Sequence, residues 1–134
     1  MPQVSRIPLN KRLEAEILEN LELVMAKLSH KEDMKGFLFS LLTRTEKLML
    51  AKRLAIVILL REGISHSNVA ASLKVTRATV SRIELIGEAR GEGFKLALKK
   101  YVREQNLNDL KNGLIKLSGY SIRAAGGRVK PTVF

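Results

Sequence analysis

Residues 48–60 read LMLAKRLAIVILL, and apart from Lys52 and Arg53 every position is apolar. A helix that is apolar on nearly all sides must be covered on nearly all sides. The uninterrupted apolar run, Leu54 to Leu60, is far shorter than a bilayer span. The cover therefore has to be protein. A chain of 134 residues is one domain by size and has few ways to enclose such a helix alone. A second copy is the natural supplement, with the partner's long N-terminal helix on the far side. The helix is expected over about 44–62. Thr43 and Glu46, three apart, carry a capping-box signature at its start, and Gly63 is placed to stop it.

The flanking sequence is also helical in pattern. Leu9, Leu13, Ile17, Leu21, Val24 and Leu28 fall three or four apart, with Glu14, Glu16, Glu19 and Glu22 off that stripe. This predicts an amphipathic helix of about five turns. The acids read as its solvated face. SHKED interrupts the pattern, and MKGFLFSLL predicts a short second helix weakened by Gly36. Near the other end, GEARGEG (87–93) reads as a Gly-rich linker. FKLALKKYVREQN then predicts a further amphipathic helix, with Phe94, Leu98 and Tyr101 or Val102 on one face. NDLKNGLIKLSGY (108–120) adds a turn or two. No strand-like alternation and no internal repeat is found. The whole chain reads as all-α.

VAASLKVTRATVSRI (69–83) breaks its own periodicity in the middle. Two short helices joined by a tight turn explain the break. Ser65 caps the first, which buries Val69 and Leu73. Thr76 caps the second, which buries Val80 and Ile83. Val75 plugs the angle, and Ala70 is small where the helices cross. This is a helix-turn-helix over about 65–86. Its turn has Lys74 where glycine is usual. The second helix exposes Arg77, Ala78, Thr79, Ser81 and Arg82. Arginine forks onto guanine or phosphate, Ser and Thr donate and accept, and Ala meets a thymine methyl. Ser65, His66, Ser67, Lys74 and Thr76 lie at the two helix starts and the turn, within reach of phosphates.

Charge points the same way. The net charge is +11, which attracts polyanions. Residues 63–134 carry 13 cations against 5 anions, while residues 1–62 carry 11 against 8. The last residues, 121–134, hold Arg123, Arg128 and Lys130, two adjacent Gly, one Pro and no acid. They read as a flexible basic tail, after a domain of residues 1–120.

LLTRTEKLMLAKRLAIVILLREGISHSNVAASLKVTRATVSRI (41–83) resembles the Trp repressor superfamily. The match runs from the LLT cap, through the buried helix with Arg53, to ISHSNVAASL and ATVSR. Helix order extends it to about 10–104. The chain looks most like the branch that does not sense tryptophan. The resemblance implies an intertwined, all-α homodimer with a helix-turn-helix at each end. It also implies a sequence-specific regulator of transcription, a repressor, with double-stranded DNA as partner. In the tryptophan-binding members two arginines hold the ligand, and they match Arg53 and Arg82. A carboxylate needs such cations. The Gly that follows the second arginine there is Ile83 here, and a ligand-contacting Ser falls at Ile86. No amino-acid corepressor and no other cofactor is expected.

Other chemistries fit less well. His30 and His66 are the only histidines, and neither has a second ligand at metal spacing. The serines stand in no triad order with His and Asp. GEARGEG lacks the Lys-Ser/Thr ending of a phosphate loop. Neither an enzyme nor a membrane protein is expected. The absence of Cys fits a reducing cytosol, so the expected place is the cytoplasm, on the nucleoid of a bacterial-type cell. The alternative function is a non-specific architectural binder of DNA or RNA.

Overall fold

A computed structural model describes residues 6–103. They form six α-helices: α1 Lys11–Lys27, α2 Lys31–Leu41, α3 Arg44–Arg61, α4 His66–Leu73, α5 Arg77–Arg90 and α6 Glu92–Arg103. The turns expected over 108–120 and the basic tail of 121–134 lie outside the described residues. The chain divides into two compact units, Met1–Met49 and Leu50–Phe134.

In the first unit, the Asn10 side chain caps α1 by accepting from the Arg12 N–H at 2.9 Å. The apolar stripe on α1 is present as expected, but no residue of α1 or α2 is buried. Ile17, at its middle, is 47% exposed. The second helix starts three residues earlier than its apolar pattern implied. Lys31, Glu32 and Asp33 form its first turn, where acids meet the positive end of the helix dipole. At the start of α3 the capping box closes in both directions. The Thr43 N–H donates to Glu46 at 2.8 Å, and the Glu46 N–H donates to the Thr43 hydroxyl at 3.2 Å. These bonds, the backbone one first, hold the Glu46 carboxyl below the usual carboxylate range.

The second unit holds the core. Ala55 through Leu60, six successive residues of α3, are all buried. Ile56 through Leu60 are met by Ile64, by Val69 and Ala70 of α4, by Val80 and Ile83 of α5, and by Leu98 of α6, with Leu73, Val75 and Phe94 at the margin. Side chains buried this completely are each worth about 1.5–3 kcal/mol. Gly63 turns the chain at φ 79°. Its N–H bonds the Leu60 carbonyl at 3.0 Å, and the Ile64 N–H bonds that of Leu59 at 3.1 Å. That pair of bonds ends α3 and sends Ile64 back into the core.

The glycine-rich segment is not a linker. α5 continues through Gly87 to Arg90, and α6 begins at Glu92. Glycine disfavours helix by only about 1 kcal/mol, and Gly87 is buried. Gly91 makes the junction. A Cβ there would overlap the Gly87 carbonyl, so the two helices follow each other with a single residue between them.

Candidate nucleic-acid interface

α4 and α5 pack on each other, joined by Lys74, Val75 and Thr76. Local chemistry fixes each end of this hairpin. The Ser65 hydroxyl accepts from the Asn68 N–H at 3.3 Å and caps α4. The Thr76 hydroxyl accepts from the Thr79 N–H at 3.1 Å and caps α5. Lys74 ends α4 in the left-handed region, at φ 55° and ψ 50°. It is the only non-glycine residue at positive φ among the described residues, a conformation costing roughly 1–2 kcal/mol. Its own N–H and that of Val75 both reach the Ala70 carbonyl, so the turn is closed twice.

Val80, Ile83 and Gly87, at i, i+3 and i+7, form the buried side of α5. The opposite side therefore carries Arg77, Ala78, Ser81 and Arg82, all exposed. Ser67, Lys74 and Thr76 are also exposed, whereas Ser65, His66 and Thr79 are half-buried. Thr79 is further engaged, its hydroxyl 3.0 Å from that of Thr76. From Gly63 to Ile83 the cations are Lys74, Arg77 and Arg82, and there is no acid. The surface is thus positive, polar at its tips and backed by a rigid core. It has the width of one helix, which is what a B-DNA major groove admits.

Two placements were not foreseen. His66, expected to reach a phosphate, lies with Nε2 2.5 Å from Oε2 of Glu84 on α5. Nothing in the spacing marked Glu84, which is eighteen residues away. Asn68, to which the sequence pattern assigned no role, is the only buried polar residue among those described, at 1% exposure.

Arg53 lies half-buried on α3 and Arg82 exposed on α5. Beside Arg82, Ile83 is 6% exposed and belongs to the core, and Ile86 is half-buried. Among the described residues no group of three His, Cys, Asp or Glu side chains is placed to hold a metal. No described helix is long and apolar enough to cross a membrane.

A family model, Trp repressor protein, matches residues 16–102, from within α1 to within α6. That is more than half of the chain, and the chain belongs to this family. No curated protein and no solved structure matches.

Proposed function

We propose that this member of the Trp repressor family, a family of DNA-binding helix-turn-helix regulators, is a homodimeric, sequence-specific repressor of transcription that acts on the nucleoid in the cytoplasm. The outward face of α5 carries the reading: Arg77, Ala78, Ser81 and Arg82 exposed together on a helix whose other side is locked into the core. Arg77 opens that helix, and the first residues of a recognition helix are those that reach base edges. Arg82 lies more than a turn later and contacts phosphate. Ser65, Ser67, Lys74, Thr76 and Thr79 supply further backbone contacts. The protein has no catalytic role.

The dimer rests on the uncovered stripe of α1 together with Leu48, Leu50 and Leu54 of α3, all exposed in the single chain. Exposed apolar side chains in such number mark an interface, and a second copy covers them. No corepressor is needed: Ile83, the residue after Arg82, is committed to the core. Residues 1–120 form the DNA-binding domain. The cations of 121–134 add affinity without base preference, so truncating them weakens all duplexes alike.

Selection from a random duplex pool tests this. The bound sequences should share a roughly two-fold motif with half-sites about 34 Å apart, and light scattering should give twice the 15.0 kDa chain mass. Equal competition by random duplex would favour the non-specific architectural reading, to which the excess of cations after residue 62 lends support.

A further inference from the structure

We infer that His66 and Glu84 form a clasp that sets the angle between α4 and α5, so that His66 acts on DNA binding through Glu84 and not by touching a phosphate. The inference rests on the DNA-binding reading above for its functional consequence, but the clasp itself does not need DNA.

The geometry is that of a triangle. α4 runs from His66 to Leu73, about 12 Å at 1.5 Å per residue. From Arg77 to Glu84, α5 advances about the same distance. The turn Lys74–Thr76 joins the two sides at one corner, and the His66–Glu84 bond closes the third side at the open end. Apolar contacts such as Val69 and Val80 hold the helices together, but they are non-directional and tolerate small rotations. A directional bond across the open end removes that freedom. A recognition helix rigidly set is what base readout requires, since an error of about 1 Å at a contact is costly.

The chemistry suits a fixed bond. The His66 and Glu84 side chains are 32% and 19% exposed, so water competes only partly. A carboxylate can only accept, so Nε2 carries the hydrogen and donates to Oε2. Such charge-assisted bonds are about twice as strong as neutral ones. Glu84 lies two residues from Arg82 on α5. A carboxylate so near a DNA-binding face is electrostatically unfavourable for binding, and a structural task accounts for its presence.

The test uses the full chain and a duplex selected by the wild type. Affinity is measured over a range of salt for His66→Ala, His66→Gln, Glu84→Ala and the alanine double variant, with circular dichroism to check folding. Both single alanine variants should bind about tenfold more weakly, and the double variant no worse than either. His66→Gln, which keeps a donor at similar reach, should recover most of the loss. The salt dependence should keep its slope. Glu84→Ala is decisive: removing an acid near DNA should strengthen binding by charge alone, whereas the clasp requires it to weaken. Stronger binding by Glu84→Ala, or a slope lowered by about one in His66→Ala, overturns the proposal in favour of a phosphate contact. Should the alanine variants not fold, His66→Gln and Glu84→Gln carry the same comparison. Independently of DNA, the His66 Nε2 proton should give a protected, downfield resonance in the free wild type. It should disappear in Glu84→Ala or Glu84→Gln. Its absence in the wild type overturns the clasp, while a wild type that shows it and binds no duplex instead defeats the DNA-binding reading.

Discussion

The last six residues of α3 before Arg61 are all buried, yet α1, with its own regular apolar stripe, buries nothing. Side-chain chemistry does not distinguish them, since both are built from leucine, isoleucine and valine. The difference is in what the chain supplies as cover. Ile56–Leu60 are met by three helices and by Ile64 of the same unit. The stripe on α1 is left open, and with it Leu48, Leu50 and Leu54 in the earlier part of α3. A helix apolar on all sides does not by itself need a second copy: the half of α3 beside α4 and α5 is enclosed by its own chain. The half that precedes it leaves Leu48, Leu50 and Leu54 exposed.

Breaking the closed region should have the largest effect. Leu59→Ala removes a completely buried side chain from the core. It should cost about 2–5 kcal/mol in chemical denaturation, and a loss under 1 kcal/mol would mean the site is less enclosed than the burial indicates. The matching change in the open region is Ile17→Ala. If a second copy covers the stripe, this should weaken dimerisation by about 1.5–3 kcal/mol per chain, seen as dissociation to monomer on dilution. An unchanged molecular mass would leave the stripe as mere surface. On the DNA face, Arg77→Ala should flatten the preference for one base pair in each half-site by about 1–3 kcal/mol. Arg82→Ala should weaken all sequences evenly. A panel of single-base operator variants separates the two, and unchanged preference in Arg77→Ala would remove that residue from base reading.

The smallest effect is expected at the start of α3. The Glu46 carboxyl is held below its ordinary range by Thr43. Its contribution to folding is therefore fully present above the unfolded carboxylate range and is lost as pH falls through the depressed native value. The Thr43 amide and the Glu46 side-chain carbon should titrate together in that acid region. Titration at the ordinary carboxylate range would show the capping box to be open in solution.

Local rules were legible in the sequence wherever one element decided its own fate. The Thr43–Glu46 box, the Gly63 stop, and the Ser65 and Thr76 caps each act within a few residues, and the structure has all of them. The change of period between Val69 and Ile83 placed both helices of the hairpin and the burial of Val69, Val80 and Ile83, whereas Leu73 lies only at the margin of the core and Asn68 is buried in its stead. What escaped was decided by packing at a distance. The glycines of 87–93 read as a linker because propensity disfavours them in a helix, but a buried Gly87 and the tight junction at Gly91 need the missing side chains. The Glu84 partner of His66 could not be seen at all, since a pair eighteen residues apart leaves no periodic trace. On α5 the exposure of Arg77, Ala78, Ser81 and Arg82 follows from helix register, whereas Thr79 is half-buried beside the Thr76 cap.

Under the proposed function, Lys74 puts thermal tolerance and grip on DNA in opposition. A glycine at φ 55° would relax a strain that lysine bears, so Lys74→Gly should raise the melting temperature. The same change deletes a cation at the hinge of the hairpin, and one fewer displaced counterion should lower the salt slope by about 0.9. A protein kept for its stability alone would favour the glycine. A laboratory selection run for heat resistance without DNA, set beside one run for operator binding, should drive this position in opposite directions and reveal which demand the lysine answers.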